Sequence, residues 1–481
     1  MRILAVSVAP LFPGAVHGGS QRILMAVTQA LGAAGHEVRV LCSRRPENDG
    51  GFKPHPRVVV EPSLLLRGTF PSPYEVAPHR LARTAAALAD ASGWADRAYL
   101  HADAVFMRHA LGGAPVIRSF HDFLYEEALL SAFALPSALT IVPSEYLKRC
   151  IEASVSGSGV REMETVMVVP NGVHVPARLP TSKPPPGIGP RRPGETVLLY
   201  PHRPDARKGI AECMHVLAEL KRRRPKDHVR LLVASHVDEK VSEEAGTYRG
   251  SVTKMARQNG VEDAVEFFGW LAPEQMPPLY AFADATLCIG SFIEAFGLVP
   301  LESAAAGTPA VCARVGALRD LEGTPGLSFV PYGDVPAATS AVEGALEAGM
   351  DSRSARKHIA SRFSLTAMED RYVEAITGRL PTALKQRSGP ARPDKRAGDK
   401  AYRLAPWCHI EGRRIYNDYE YGYSEFPALL SLITGSAGNT RAFTQAQAKS
   451  SSTAMRELET SLMRGYVVPV PHVLSQRGRD N

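Results

Sequence analysis

One short segment constrains the fold more than any other, because it places a strand, a loop and a helix in immediate succession. Residues 285–289 form a largely apolar run that predicts a buried strand. Residues 299–306 then have a helical composition, and Pro300 is tolerated in a first helical turn. A strand followed closely by a helix predicts a parallel α/β sheet, which places ligand-binding groups at the carboxyl ends of its strands.

Two carboxylates, Glu294 and Glu302, flank the start of this predicted helix. The amides of Phe296, Gly297 and Leu298 lie at its amino end, where the helix dipole favours an anion. Two acceptors beside an anion site suit a sugar linked to a nucleoside diphosphate, with one carboxylate on sugar hydroxyls and the other on ribose hydroxyls. The alternative is a surface loop that enters an ordinary helix.

The spacing E-x7-E, filled by A-F-G-L-V-P-L and followed by A-A-G-T-P, resembles the signature of the family-4 retaining glycosyltransferases of the GT-B fold. The resemblance implies an α/β protein with two Rossmann-like domains facing a cleft. It assigns Glu294 to the donor sugar as a catalytic residue and Glu302 to the ribose. The amides of Phe296, Gly297 and Leu298 would contact the sugar and the distal phosphate.

The amino-terminal residues predict a βαβ unit, with strands at 2–8 and 36–42 around a helix at 21–33. Gly18 and Gly19 stand just before that helix and would let a ligand approach the backbone closely. The family has a similar glycine-rich loop near the donor phosphates and the acceptor, so we expect donor binding here. A plain loop remains the alternative.

Residues 103–107 and 115–119 predict two short strands, and His121 and Asp122 follow the second. The family often has a histidine here that contacts the donor sugar, which makes His121 a predicted catalytic residue and Asp122 a candidate cleft residue. The alternative is a histidine that only caps the strand. Asn171 is a second candidate cleft residue, in an N-G-V turn where His174 replaces the family's usual acid.

A cationic loop follows the strand predicted at residues 196–200. Arg203 and Lys208 stand five positions apart before a helix, a pairing that suits a diphosphate. The family pattern is G-R-x4-K-G, and this chain keeps the Arg, the Lys and Gly209 but has His202 for the first glycine. We predict that Arg203 and Lys208 stabilise the leaving diphosphate, the alternative being a solvated pair of cations.

The resemblance ends near residue 378, and the rest of the chain predicts an additional domain. Residues 402–410 predict a strand. Residues 455–470 combine an amphipathic helix, Arg464-Gly465 and a strand, which loosely resembles a small winged-helix domain of α+β class. A structural or oligomerising role fits equally well. The predicted domains are an acceptor domain (1–178), a linker (179–195), a nucleotide-sugar domain (196–362), a cross-over helix (363–380), a basic linker (381–400) and an accessory domain (401–481).

Composition limits the partners. The formal net charge is +7, a modest excess that suits anionic ligands but does not demand nucleic acid or a membrane surface. The accessory domain is rich in tyrosines and acids between residues 416 and 425, which argues against nucleic acid and favours a partner contact through residues 401–481. Six cysteines without a C-x-x-C pair indicate buried thiols in a reducing compartment, hence a cytoplasmic protein.

We therefore predict transfer of a sugar from a nucleoside-diphosphate sugar, UDP- or GDP-linked, to a small-molecule or peptide acceptor. The resemblance implies retention at the anomeric carbon and no essential metal or other cofactor, and the sequence has no D-x-D motif. No apolar run is long enough to predict a transmembrane segment, and peripheral membrane contact stays open. The alternatives are a non-catalytic binding protein on the same scaffold, or an epimerase or phosphorylase of the same fold.

Overall fold

The computed structural model describes residues 1–14, 18–66, 76–135, 137–158, 165–235, 245–269, 271–381, 400–435 and 439–470. The chain divides into two compact units. Unit 1 comprises Met1–Val8, Ala77–Val168 and Ala375–Asn481. Unit 2 comprises Ala9–Val76 and Val169–Glu374.

The first sheet has eight strands. Its elements in chain order are β1 (Arg2–Val6), α1 (Gly19–Ala33), β2 (Glu37–Ser43), β3 (Phe52–His55), β4 (Val58–Leu64), α2 (Pro78–Trp94), β5 (Arg97–His101), β6 (Val116–Ser119), α3 (Glu126–Ala134), β7 (Leu139–Val142), α4 (Glu145–Ser158) and β8 (Val166–Val168). The strand order is β3-β4-β2-β1-β5-β6-β7-β8, and β3 runs antiparallel to β4. The pairs β2–β4, β1–β5, β5–β6, β6–β7 and β7–β8 are parallel, so the carboxyl ends of β5 and β6 meet at one edge.

The second sheet lies within unit 2. Its elements are β9 (Glu195–Tyr200), α5 (Ile210–Arg223), β10 (His228–Ala234), α6 (Ala245–Gln258), β11 (Val265–Phe268), α7 (Met276–Phe282), β12 (Ala285–Cys288), α8 (Leu298–Ala305), β13 (Ala310–Ala313), β14 (Leu327–Val330), α9 (Val335–Ala348), α10 (Ser352–Phe363) and α11 (Leu365–Thr377). The order is β11-β10-β9-β12-β13-β14, and every pairing is parallel. The order reverses between β9 and β12, where doubly wound sheets bind their ligands.

The strands of the second sheet are near-continuous apolar runs because helices cover both faces. On one face Leu198, Leu231 and Leu287 pack against Ile210 and Leu217 of α5, and all five are at most 1% exposed. On the other face Leu199 and Leu232 pack against Leu279 and Tyr280 of α7. This packing fixes where β9 and β12 end, and so positions the loops that follow them.

The end of the chain forms two small antiparallel sheets with three helices. Its elements are β15 (Ala401–Leu404), β16 (Cys408–Glu411), β17 (Arg414–Asn417), β18 (Gly422–Ser424), α12 (Pro427–Ile433), β19 (Phe443–Thr444), α13 (Gln445–Lys449), α14 (Ser452–Met463) and β20 (Val467–Pro469). The sheet orders are β19-β15-β20 and β16-β17-β18. The predicted small α+β extension is therefore present, and its apolar cluster includes Ala153 of α4.

Two local strand predictions were wrong, and one helix begins later than predicted. The strand predicted at residues 103–107 is instead a 3₁₀ segment, Ala102–Ala110, because β5 ends at His101 and Ala102 adopts φ 48°. The cross-over helix predicted from residue 363 is observed as α11 (Leu365–Thr377), which begins two residues later because Phe363 ends α10. A strand predicted at 402–410 is two strands, β15 and β16, in different sheets.

Other local predictions are confirmed. All six cysteines are buried and free. The N–H of Leu147 donates to Ser144 Oγ at 3.1 Å, so Ser144 caps α4 as expected. No helix in the described ranges is both long and apolar enough to span a bilayer. Of the basic linker predicted at 381–400, residues 382–399 lie outside the described residues.

Candidate functional site

Two loops of unit 2 meet beside the switch point of the second sheet, one after β9 and one after β12. Gly209 (φ 97°) and Gly290 pack backbone against backbone, since a Cβ on Gly209 would lie 2.5 Å from Gly290 N. The N–H of Phe292 donates to Arg207 O at 2.8 Å, which joins the loops further. Close backbone contact of this kind requires glycine on both sides, because a side chain on either would push the loops apart.

The joined loops bring a cation and a carboxylate together. Lys208 Nζ donates to Glu294 Oε1 at 2.6 Å, and their side chains are 12% and 25% exposed. Glu294 therefore remains open to a ligand and is not sealed in a core. The pair lines a small cavity together with, among others, His202, Cys288 and Phe292.

Three cations surround the ring of Phe292. Lys208 Nζ lies 3.6 Å from the ring centroid, and the guanidinium carbons of Arg207 and Arg203 lie at 5.1 and 5.7 Å. Arg207 is also paired with Asp205 at 2.9 Å. Arg203 is exposed and has its aromatic contact with Phe292. The attraction of cations to a ring face, commonly about 0.5–2 kcal/mol each, keeps this positive cluster together.

The charge balance at Glu294 favours its ionised form. Burial raises the pKa of this carboxyl, but the charge and hydrogen bond of Lys208 act the other way, with smaller contributions from His202 and Arg203. The net result is a pKa below the usual value for glutamate. A carboxylate at this position is thus an acceptor for hydroxyl groups at neutral pH.

The predicted anion site lies at the start of α8, which begins at Leu298. Gly297 is its N-cap with φ 106°, and no side chain caps the helix. A Cβ on Gly297 would lie 2.7 Å from Leu318 Cδ2, so this turn needs glycine for both conformation and space. The carbonyl of Glu294 accepts from the N–H of Ala317 at 2.7 Å, which fixes the backbone of Glu294 against the loop after β13.

Glu302 has two partners within unit 2. Its Oε1 accepts from Arg22 of α1, and its Oε2 accepts from the hydroxyl of Tyr280 at 3.0 Å. Burial lowers the pKa of Arg22, but the charge and hydrogen bond of Glu302 outweigh it, so that pKa lies above its usual value. Because a carboxylate has about four lone-pair sites, Glu302 keeps acceptor capacity beyond these two bonds.

The glycine pair of the first loop also contacts this region. Gly18 is the N-cap of α1 with φ 155°, and a Cβ on Gly19 would lie 2.9 Å from Leu298 Cδ1. Gly19 and the first residue of α8 therefore pack closely. Unit 2 brings together eight of the predicted residues or amides, namely Gly18, Gly19, Lys208, Glu294, Phe296, Gly297, Leu298 and Glu302, with Arg203 at the edge of the cluster.

The predicted His121 lies in unit 1, inside a polar network. Its Nε2 is 3.2 Å from Ser119 Oγ, and its ring centroid is 4.4 Å from that of His101. The hydroxyl of Tyr99 joins Ser119 Oγ at 3.0 Å and His101 Nδ1 at 2.8 Å. Burial lowers the pKa of His121 to about 4, so its imidazole is neutral at pH 7.

The remaining candidate residues and the two histidine replacements differ in how far they are buried. Asp122 follows His121 and is partly buried, and Asn171 is 5% exposed, with no hydrogen-bond partner for its Oδ1 among the residues that the structure describes. His174 is exposed. His202 is 6% exposed, and its Nε2 lies 3.0 Å from the carbonyl of Leu287. This histidine, which stands where the family has glycine, therefore links the end of β9 to β12.

Several residues of the site were not predicted. Arg22, Tyr280, Phe292 and Gly290 were missed in unit 2, and a Tyr99–His101–Ser119 group was missed in unit 1. Gly290 had a usable signal, since a glycine directly after a predicted buried strand often marks a close backbone approach. Arg22 and Tyr280 had none, because their contacts with Glu302 span 280 and 22 positions.

Comparison with known families matches two parts of the chain. Residues 187–361 match the model described as "Glycosyl transferases group 1". Residues 17–175 match the model described as "Glycosyltransferase Family 4". The two matches lie on either side of a short gap and contain every site residue described above.

Curated relatives agree with these matches. The chain is similar to a glycogen synthase of Mycobacterium tuberculosis, with 29% identity over 79% of this chain and 96% of that protein. It is also similar to a D-inositol 3-phosphate glycosyltransferase of Acidothermus cellulolyticus, with 36% identity over 28% of this chain and 29% of that protein.

Solved structures share the fold. Sucrose-phosphate synthase from Thermosynechococcus elongatus has 19% identity and a TM-score of 0.60, covering 77% of this chain and 96% of that one. The Anabaena protein HepE, solved in complex with UDP-glucose, has 19% identity and a TM-score of 0.59, covering 78% and 98%. Across residues 17–175 and 187–361, the chain is a glycosyltransferase of the GT-B fold, built from a family-4 segment and a group-1 segment.

Proposed function

We propose that this protein transfers a sugar from a nucleoside-diphosphate sugar to an acceptor with retention of the anomeric configuration. The observation that carries the proposal is the Lys208–Glu294 pair at 2.6 Å, held beside the cation cluster on Phe292. A lysine and a carboxylate in contact can receive opposite ends of one ligand, the diphosphate and the sugar hydroxyls. An ordinary surface loop would not require the backbone contact between Gly209 and Gly290 that holds this pair in place.

The diphosphate is the group for which the cations of unit 2 are suited. Lys208 supplies a point charge and Arg203 a planar fork, the two modes by which proteins bind phosphate oxygens. The amides of Phe296, Gly297 and Leu298 lie at the uncapped start of α8. Charge that grows on the leaving diphosphate would be stabilised by these fixed donors, which is where enzymes gain much of their rate.

The two carboxylates divide the rest of the donor. Glu294 accepts bonds from sugar hydroxyls, and Glu302 accepts bonds from the ribose. Gly18 and Gly19 let the donor approach the start of α1, and Asn171 and Asp122 are kept as further contacts. His121, neutral at pH 7, is proposed to accept or donate a single hydrogen bond at the sugar.

Retention follows from the family resemblance alone. In that scheme the bond between the anomeric carbon and the distal phosphate oxygen breaks, and the acceptor oxygen bonds to the same face of the sugar. The acceptor proton passes to the phosphate oxygen that leaves, so atoms and charge balance. No step in this scheme uses a protein nucleophile or a metal.

The donor is proposed to be UDP- or GDP-linked. Support comes from the Anabaena protein solved with UDP-glucose, which shares this fold. The acceptor is proposed to be a small molecule or a peptide. The glycogen synthase and inositol-phosphate relatives act on chemically different acceptors by their names, so they do not favour one class.

The test is Glu294→Gln, which keeps the shape of the side chain and removes its charge. Thermal unfolding with UDP-glucose and with GDP-mannose first identifies the stabilising donor, because a ligand that binds the native state raises the melting temperature. Release of the nucleotide is then measured for the wild type, Glu294→Gln and the control Glu347→Gln, whose side chain is 70% exposed.

We expect Glu294→Gln to lower the rate by at least about 100-fold, since two hydrogen bonds to a charged group are worth about 3 kcal/mol or more. The control should match the wild type. Equal rates in all three proteins would remove Glu294 from catalysis, and a wild type that binds the donor without releasing its nucleotide would favour a non-catalytic binding protein. Donor consumption to an epimer or a sugar phosphate would instead indicate the related reactions.

A further inference from the structure

The C-terminal extension places one hairpin loop against the part of unit 1 that holds His121. This loop, residues 418–421, connects β17 to β18 and is called the 418–421 loop below. The hydroxyl of Tyr419 donates to the carbonyl of Phe123 at 2.7 Å. The hydroxyl of Tyr146, in α4, donates to Asp418 Oδ2 at 2.8 Å.

The 418–421 loop is held rigidly from within the extension. The N–H of Tyr419 donates to Asn417 Oδ1 at 3.0 Å, and the Tyr419 ring meets the ring of Trp407 edge-on at 5.8 Å. The N–H of Asp418 donates to the carbonyl of Trp407 at 3.0 Å. Asn417 in turn donates to the carbonyl of Arg464 at 3.1 Å. The loop therefore loses little conformational entropy when it makes its contacts with Phe123 and Tyr146.

Two features of the loop would destabilise the protein without the contacts that the loop makes. Asp418 is fully buried, and a buried carboxylate is destabilising unless it is hydrogen-bonded. Tyr421 adopts φ 54°, a left-handed conformation that a residue with a Cβ rarely takes. Strained backbone of this kind persists where the surrounding structure imposes it, and it is concentrated at functional positions.

The extension and α4 also share a hydrophobic core. Ala153 of α4 lies in one cluster with Tyr402, Phe443 and Leu458 of the extension, all at most 5% exposed. Tyr416 is fully buried as well, whereas Tyr421 is 37% exposed. The tyrosines that suggested a partner surface are thus mostly internal to unit 1, and the extension is joined to the helix beside the His121 segment.

The carbonyl that Tyr419 holds is two positions beyond His121. Asp122 lies between them, and its charge contributes to the pKa of the Tyr419 hydroxyl. Burial raises the pKa of the Tyr419 hydroxyl, and the nearby Cys150, Asp418 and Asp122 add to that effect, so Tyr419 is a neutral donor throughout the physiological range.

We propose that Tyr419 is a positioning residue, which holds the His121–Phe123 segment in place through the Phe123 carbonyl and so sets the orientation of the His121 ring. The C-terminal extension is then part of the sugar-handling side of unit 1 and is not an independent module. The proposal rests on the proposed function only for the role of His121, since the contact itself is internal to unit 1.

The first test measures the His121 side chain in the full chain without any ligand. Tyr419→Phe removes one hydroxyl and keeps the ring on Trp407, and Tyr421→Phe removes an exposed hydroxyl from the same loop. The His121 ring C–H signal is assigned with His121→Gln and followed by NMR between pH 7 and pH 5. The groups near this ring that could alter its titration are His101, Ser119 and Asp122.

In the wild type and in Tyr421→Phe, the His121 signal should move by only about a tenth of its full titration over this range, because its pKa is about 4. In Tyr419→Phe we expect the signal to begin to titrate, with a pKa nearer the usual 6.5, because the released segment admits water to the ring. A signal that stays unchanged in Tyr419→Phe would overturn the proposal, as would equal changes in both variants.

The second test separates positioning from general stability. With the donor identified by thermal shift, Tyr419→Phe should lower kcat about tenfold while the Kd for UDP stays within about twofold, since the nucleotide residues lie in unit 2. A lower melting temperature with unchanged kcat would reduce Tyr419 to a structural role. If Glu294→Gln proves as active as the wild type, the proposed function fails while the NMR result still stands or falls by itself.

Discussion

The contact between Gly209 and Gly290 makes the sharpest prediction about the proposed nucleotide-sugar site. In Gly290→Ala the new Cβ would lie 2.5 Å from Gly209 N and nearer still to Arg207 O, and real Cβ atoms essentially never approach below 3.0 Å. Both neighbours are backbone atoms, so no side chain can turn away. The loops must part by about 1 Å to restore an ordinary contact.

The magnitude follows from what that movement breaks. Overpacking of a fitted site costs about 1–3 kcal/mol. The bond from Phe292 N to Arg207 O, now 2.8 Å, would be lost at about 1 kcal/mol more. We expect a loss of about 2–4 kcal/mol, which lowers the melting temperature by roughly 5–10 °C. The Lys208–Glu294 pair would shift by a similar distance, and a 1 Å misplacement can lower kcat about 100-fold.

The assay is thermal unfolding with and without UDP, followed by the rate of nucleotide release from the donor. Gly344→Ala is the matched control, because Gly344 lies within α9 and a Cβ there would meet nothing within 4 Å. Helix propensity predicts that this control is unchanged or more stable by about 0.5–1 kcal/mol. A Gly290→Ala protein with the wild-type melting temperature and wild-type UDP affinity would refute the reasoning.

Two further predictions concern the carboxylate and the histidine. Glu302→Gln should weaken UDP binding at least about tenfold, because a hydrogen bond to a charged group is worth about 1.5 kcal/mol or more, and calorimetry that finds an unchanged Kd would contradict a ribose contact. His121 has a folded pKa of about 4 against 6.5 in an unfolded chain, so below pH 6.5 the unfolded chain binds the extra proton and stability falls. From pH 6.5 to pH 5 this loss is about 2 kcal/mol, and His121→Gln should flatten the fall in melting temperature, whereas parallel curves for the two proteins would reject it.

The strand and helix pattern of the second sheet could be predicted because it is local. Runs such as residues 229–234 and 265–268 are mostly apolar, each with one charged residue (Arg230 and Glu266), and the observed strands β10 and β11 coincide with them to within one residue. The first sheet was harder, since β5 contains Arg97 and His101 at its ends and was missed in favour of residues that form a 3₁₀ segment. Its burial is decided by neighbouring strands and not by its own composition.

The sequence alone determined strands β9 to β13 of the second sheet but not β14, together with the spacing of Glu294 and Glu302 and the cation pair Arg203 and Lys208. These depend on residues within one or two elements, so their periodicity and spacing are visible in the chain. The tertiary structure decided which of them meet.

Only the fold brings Lys208 to Glu294 across 86 positions, Arg22 to Glu302 across 280, and Tyr419 to Phe123 across 296. Each contact depends on how helices and strands pack over the whole unit. The residues around a side chain therefore do not indicate a partner so far away in the chain. The physical reason is that packing and desolvation act between elements, whereas propensity and spacing act within them.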